Sequence, residues 1–255
     1  MLPFFRGKIH FDLGEEYSLI RIMEKASNKE QAAKAMAHDL EGALRLLKET
    51  NTLTLLLLSG GSAFTALDHI AEDVFGPFLT ITVLDERYDP TNINNNFYQL
   101  AQTSFFEKAQ KNGVSFIDTQ VKEGQSAAAL AEWWEAELRK WCTENDEGVL
   151  LATLGMGADG HVAGIMPFPE DSTKFHQLFD DEAWVASYDA TGKNPFAERV
   201  TTTLAFLRQI DFAFAYVCGE KKANAFKESK TSGDLANLPA RILSEIRSVE
   251  FYTDI

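Results

Sequence analysis

Cysteine is scarce in this chain. Its 255 residues include two, Cys142 and Cys218, too few and too far apart for a disulfide framework, and without the spacing of a zinc site. Both are therefore expected as buried thiols in a reducing cytoplasm, with no metal. Long apolar runs are missing too: none reaches the roughly 18 residues that a membrane span needs. The opening Met1-Leu2-Pro3-Phe4-Phe5-Arg6 lacks the apolar core of a signal peptide. Cations are in short supply, since 24 Lys plus Arg face 38 Asp plus Glu for a formal charge of −14. That balance argues against broad adhesion to nucleic acid or anionic membrane, so any phosphate bound here needs a local basic pocket. Repeats, low-complexity tracts and long Pro/Gly/Ser linkers are absent as well. A single domain over residues 1–255 is expected, and 45% hydrophobic residues suffice for its core.

What is present is an alternation of apolar strands and amphipathic helices. The capping box Ser27-Asn28-Lys29-Glu30 opens a helix whose apolar positions Ala33, Met36, Ala37, Leu40, Leu44 and Leu47 recur at helical spacing. Thr52 to Leu58, Leu79 to Leu84 and Val149 to Leu154 are short apolar runs that read as buried strands. A helix from Ala63 to Ala71 follows the first, and Gln125 to Trp141 forms a second long helix before the third. Later strands are expected at Trp184–Ser187, Arg199–Thr203, Phe212–Cys218 and Val249–Tyr252, with helices at Lys221–Glu228 and Pro239–Ile246. The fold class is α/β: a Rossmann-like, mostly parallel sheet with helices on both faces, whose polar loops gather at the carboxyl ends of neighbouring strands.

Three loops there carry candidate chemistry. Ser59-Gly60-Gly61-Ser62 lies between a strand and a helix, where glycines let backbone N–H groups approach an anion. Taken alone it reads equally well as a tight turn with a serine cap, and it lacks the lysine of a P-loop. Asp85-Glu86-Arg87 offers a guanidinium for a phosphate and a carboxylate, Asp85, for hydroxyls or proton transfer. Its plainer reading is a local ion pair before an Asx-rich turn at Asn92-Ile93-Asn94-Asn95-Asn96. Gly155-Met156-Gly157-Ala158-Asp159-Gly160-His161 formally contains the dinucleotide fingerprint, but Asp159 would face a pyrophosphate and Met166-Pro167-Phe168-Pro169 cannot continue a regular helix. What remains is His161, two residues after an aspartate on a glycine-rich loop, with a near-neutral pKa suited to general-base work. His10, His38, His69 and His176 lack such a setting. Near the C-terminus, Arg199-Val200-Thr201 and Gly219-Glu220-Lys221-Lys222 supply local positive charge, the two lysines being otherwise solvated at a helix start.

In this order the loops resemble the glucosamine-6-phosphate isomerase and 6-phosphogluconolactonase family, with Leu238-Pro239-Ala240 similar to a late Leu-Pro-Ala segment. The resemblance implies a sugar-phosphate substrate, with His161 and Asp159 as catalytic residues and no metal or organic cofactor. It implies substrate binding by Ser59, Gly60, Gly61, Ser62, Asp85, Arg87, Gly157, Arg199 and Lys222. Arg87 after Asp-Glu is similar to lactonases, where deaminases usually carry an aromatic residue. Deaminases also have an Asn-Glu-Pro segment after the histidine loop, whereas here Met166 precedes Pro167. Departures from the lactonase pattern are Ala63-Phe64 for Thr-Pro, Gly164-Ile165-Met166 for Ser-Leu-Phe, and Asn95-Asn96 for Ser-Asn. The expected reaction is hydrolysis of 6-phosphogluconolactone. The alternatives are a deaminase or isomerase with Asp85 as carbon base, or a sugar-phosphate-binding protein that has lost its chemistry.

Overall fold

The computed structural model describes residues 20–22, 25–61 and 64–255. Expectations attached to Met1–Arg6, His10, Ser62 and Ala63 lie outside them. The strands are β1 (Ile20–Ile22), β2 (Thr54–Leu58), β3 (Leu79–Val83), β4 (Asp85–Arg87), β5 (Ser115–Phe116), β6 (Val149–Gly155), β7 (Val185–Asp189), β8 (Glu198–Thr202), β9 (Phe212–Val217) and β10 (Val249–Thr253). The helices are α1 (Lys29–Glu49), α2 (Phe64–Leu67), α3 (Asn96–Ala101), α4 (Ser104–Lys111), α5 (Ala127–Glu144), α6 (Ser172–Phe179), α7 (Leu204–Leu207) and α8 (Ala223–Ser229).

Seven strands form one sheet in the order β1-β10-β9-β6-β2-β3-β5, and every neighbouring pair in it is parallel. The α/β class with a mostly parallel sheet is thus as the alternation predicts. All five residues of β2 are buried, as are the first six of β6, which is why these strands read as continuous apolar runs rather than alternating ones. Around the central β6, Ser59 closes the end of β2: its N–H donates to Thr153 O (3.1 Å), and its Oγ accepts from Gly155 N (3.2 Å). Helix α1 buries the predicted stripe, Ala33, Met36, Ala37, Leu40, Leu44 and Leu47, and packs on β9 and β10. Its cap differs from the expected box. Asn28, not Ser27, accepts from Gln31 N at 3.0 Å, while Ser27 Oγ donates to Gln31 Oε1 at 2.7 Å.

A second sheet, of antiparallel order β4-β8-β7, departs from the sequence reading. Asp85-Glu86-Arg87, read as a loop, is itself a strand, because the chain leaving β3 hands Leu84 O to Thr202 N (3.0 Å) and then pairs along β8. Other differences are local. The helix expected from Ala63 to Ala71 shortens to α2 and a 3-10 turn at Glu72–Val74, Pro239–Ser244 is 3-10 rather than α, and a 3-10 turn at Glu220–Lys222 precedes α8. Strands β1 and β5 and helices α3, α4, α6 and α7 carry no long apolar pattern and are additions to the sequence reading.

The small sheet grips the segment after the histidine loop. Val162 to Ile165 form a tight turn in which Ala163 (φ 48°) and Gly164 (φ 69°) are both left-handed and Ile165 N donates to Val162 O at 2.8 Å, the pattern of a type I′ turn. Thr201 Oγ1 donates to Ala163 O, and Tyr188 Oη donates to Gly164 O at 2.5 Å. Gly164 leaves no room for a side chain, since a Cβ there would lie 2.6 Å from Asp85 Cβ. Gly164→Ala should therefore destabilise the protein by about 2–4 kcal/mol. Urea denaturation checks this, and an unchanged midpoint and slope would contradict it.

Candidate active site

The histidine loop leaves the end of β6 as a closed turn. Gly157 N donates to His161 O (2.9 Å) and Gly160 N to Gly157 O (3.1 Å), with Gly160 at φ 81°. The turn folds Asp159 back on His161, so that Asp159 Oδ1 meets His161 Nδ1 at 2.6 Å and accepts from His161 N at 3.2 Å. Burial acts to raise the Asp159 pKa, but the hydrogen bonds and charge of His161 outweigh it and leave it below the ordinary carboxylate value. An ionised Asp159 selects the tautomer with hydrogen on Nδ1 and leaves Nε2 as the basic nitrogen. The imidazole side chain is 34% exposed, so that nitrogen is within reach of solvent.

Glycine is required at two points of this loop. A Cβ at Gly157 would run into the His161 ring and the Asp159 carboxylate, and one at Gly160 would run into Leu238. Ala240 N also donates to Gly160 O at 2.9 Å, so the Leu-Pro-Ala segment forms the outer wall of the loop. The next helix is α6, beginning only at Ser172, so no helix N-terminus follows the loop to receive a dinucleotide pyrophosphate. Gly157→Ala should retain the fold yet displace the Asp159–His161 pair, lowering turnover by at least about 10²-fold. A melting curve and an activity assay on one preparation separate these effects.

On β4 the three charged residues have three different environments. Asp85 and Arg199 form an ion pair with side chains only 8% and 5% exposed. Asn96 Nδ2 donates to Asp85 O at 2.8 Å, and Asn96 packs so closely on Gly60 that a Cβ there would sit 2.5 Å from its Oδ1. Glu86 is fully buried and accepts from Asn96 N (2.6 Å), Phe97 N (2.9 Å) and Thr119 Oγ1 (2.5 Å), tying β4 to the start of α3. Burial pushes its pKa up to about 8 against the pull of those donors. Arg87 is half-buried over the Phe196 ring, 4.7 Å from its centroid, and makes no hydrogen bond or ion pair among the described residues. Burial lowers its pKa. In place of the expected local ion pair there is a cross-strand one, Asp85 with Arg199, and Asn92 to Asn95 serve as turn and cap: Asn92 bonds both ways with Val121 and Asn95 caps α3.

Sheet order sets the loops after β2, β6 and β9 side by side. The first places Ser59 buried, its Oγ engaged by Gly155 N, with Gly61 exposed at φ 70°; Ser62 lies outside the described residues. After β9, Lys221 is exposed, whereas Lys222 is half-buried and its pKa is lowered, chiefly by burial and further by Lys29. Lys222 has no ion pair among the described residues. No group of three or more His, Cys, Asp or Glu side chains that could hold a metal occurs among them either.

Sequence reasoning missed Asn96, Thr201, Tyr188 and Phe196 as supports of the site, since each acts through a contact distant in sequence. It also gave His176 no setting. His176 Nδ1 faces Asp180 Oδ2 and Nε2 faces Asp234 Oδ1, each at 3.0 Å, tying α6 to the segment that leads to Leu238. Neutral imidazole can donate through only one nitrogen, so both bonds require the cation. Burial opposes that charge, but Asp180 and Asp234 outweigh it and raise the pKa above 6.5. A raised histidine contributes stability that is full below pH 6.5 and is lost as pH climbs through the folded-state pKa. Melting temperature should fall as pH rises above about 6.5, and His176→Gln should flatten that fall; an identical slope in the variant would exclude this residue as its source.

The fold and loops together define a parallel α/β protein with an acid–histidine pair at the carboxyl edge of its sheet. The family description "Glucosamine-6-phosphate isomerases/6-phosphogluconolactonase" matches residues 27–251, and the chain belongs to that family. It is 28% identical over 207 residues to "6-phosphogluconolactonase 3, chloroplastic" of Arabidopsis thaliana, covering 75% of this chain and 60% of that one. It is 25% identical over 223 residues to "6-phosphogluconolactonase" of Rhizobium meliloti, covering 85% and 90%. Among solved structures it resembles a 6-phosphogluconolactonase from Shewanella baltica (TM-score 0.72, 17% identity, 93% and 97% covered). It also resembles that from Trypanosoma brucei (TM-score 0.69, 18% identity, 91% and 95% covered). At these identities the structural likenesses bear on the fold. Among the described residues no helix is long and apolar enough to cross a membrane.

Proposed function

We propose that the chain, acting as one domain over residues 1–255, hydrolyses 6-phospho-D-glucono-1,5-lactone to 6-phosphogluconate, a step of the pentose phosphate pathway. The observation that carries this reading is the 2.6 Å contact of His161 Nδ1 with Asp159, which directs the ring hydrogen to Nδ1 and turns Nε2 into the nitrogen that can accept a proton. Nε2 removes a proton from water as the water oxygen attacks the lactone carbonyl. Asp159 favours the imidazolium that forms. As the tetrahedral intermediate collapses, the bond from the former carbonyl carbon to the ring oxygen breaks, and that oxygen takes the proton back from His161. No metal or organic cofactor takes part.

Arg87 and Lys222, each half-buried and without an ion pair among the described residues, take the phosphate beside the Ser59-Gly60-Gly61 loop. Arg199 is committed to Asp85 and supports the site from behind. Ring opening of an amino sugar is disfavoured at Met166, which is buried and receives Asn194 Nδ2 on its sulfur at 3.9 Å where the deaminase pattern has an acid. Cys142 and Cys218 are not joined to each other, which fits work in a reducing cytoplasm.

Purified protein should accelerate lactone hydrolysis above the spontaneous rate. His161→Ala should lose about 10²- to 10⁴-fold in kcat, with its melting temperature kept. Asp159→Asn should lose less. Undiminished hydrolysis in His161→Ala would overturn the assignment of the base, and ammonia release from glucosamine 6-phosphate would select the deaminase.

A further inference from the structure

Arg87 and Arg199 are register partners across β4 and β8, so two guanidinium groups start side by side. The nearby Asp85 carboxylate is taken by Arg199. Nothing among the described residues accepts a hydrogen bond from Arg87, and a long side chain with all its donors unfilled loses considerable rotamer freedom when it is fixed to bind a ligand. What does contact it is the face of Phe196, 4.7 Å from the guanidinium carbon to the ring centroid. An aromatic face attracts the cation without occupying any of its N–H donors.

The ring is itself held. Phe196 lies in the connection between β7 and β8, closed by Ala190 N to Ala197 O (2.6 Å) and Asn194 N to Ala190 O (3.0 Å). Phe196 N donates to Asn194 Oδ1 at 3.0 Å, while Asn194 Nδ2 reaches Met166 Sδ. Lys193 pairs with Glu170 and lies 4.2 Å from the Phe168 ring centroid. The connection is thus fastened to the segment that follows the histidine loop, and Phe196 relates Arg87 to the same framework that carries His161.

We infer that Phe196 is a positioning residue: its ring holds the Arg87 guanidinium so that its N–H donors meet the phosphate of the substrate, and it tunes affinity rather than the chemical step. This rests on the proposed lactonase reading. Because the phosphate is remote from the reacting carbonyl, loosening Arg87 weakens ground state and transition state alike, which raises KM and spares kcat.

Steady-state kinetics of Phe196→Leu, Phe196→Tyr, Arg87→Met and the Arg87→Met/Phe196→Leu double variant test this. Phe196→Leu should raise KM about 3- to 10-fold with kcat within about twofold, and Phe196→Tyr should restore KM. In the Arg87→Met background, Phe196→Leu should change nothing further, the non-additivity expected of two residues acting as one. An unchanged KM in Phe196→Leu, or an equal penalty in both backgrounds, would overturn the inference. If the parent protein does not hydrolyse the lactone, the function reading fails by itself. Titration with inorganic phosphate then tests the ring separately: weaker binding by Phe196→Leu, abolished as a difference in the Arg87→Met background, supports it, and equal binding by parent and Phe196→Leu overturns it.

Discussion

The buried pair of Asp85 and Arg199 is the interaction on which the rest of the site depends. Two opposite charges, each almost wholly removed from water, bear a large desolvation cost that only close mutual contact and further hydrogen bonds offset. Removing one partner would leave the other charge stranded, at a cost of about 3–5 kcal/mol. The pair fastens β4 to β8, although β4 is only three residues long. It also sets Asp85 where Gly164 must back onto it and where Asn96 reaches Asp85 O. Finally it engages the Asp85 carboxylate in a direct contact with Arg199, which leaves Arg87 without an ion-pair partner of its own at the edge of the small sheet.

Close approach explains the glycines better than backbone freedom does. At Gly60, Gly157 and Gly164 the space of a Cβ is filled by Asn96, by the Asp159–His161 pair and by Asp85. The contacts at Gly60 and Gly164 each join segments that the sequence keeps apart, while that at Gly157 closes the histidine loop on itself, so the absence of a methyl group is what lets the segments around β2, β4 and β6 share one framework. Ser59 acts in the same way from the polar side: its Oγ, spent on Gly155 N, locks the end of β2 to the start of the histidine loop.

The parallel sheet was legible because its central strands are buried on both sides and so appear as unbroken apolar runs, Leu55 to Leu58 and Val149 to Leu154. Helix α1 was legible through its stripe, with an error of one residue at the cap because Ser27 and Asn28 are both good cap residues. Strand β4 was not legible. Asp85-Glu86-Arg87 has neither apolar alternation nor β-branched residues, and it is extended only because β8 supplies the pairing. The histidine loop stood out since its glycines, Asp159 and His161 are contiguous. The Asp85–Arg199 pair did not, because its partners are 114 positions apart and no local pattern links them.

The charge of the chain follows the same division between global and local. At −14 the protein repels an anionic sugar phosphate at long range, but beyond the Debye length of about 8–10 Å that repulsion is largely screened. Within it, on the proposed site, half-buried Arg87 and Lys222 meet the phosphate at lower dielectric and with less screening, so attraction outweighs the net charge there. On the proposed reaction the balance then changes. Hydrolysis turns a neutral lactone carbonyl into a carboxylate, adding one negative charge beside an already ionised Asp159. The cations that receive the phosphate do not gain a partner for that new charge, so the acidic surroundings work against the product more than against the substrate. On the proposed reaction it is therefore Asp159, close to the new carboxylate, that disfavours the product, while Arg87 and Lys222 hold the phosphate of substrate and product alike.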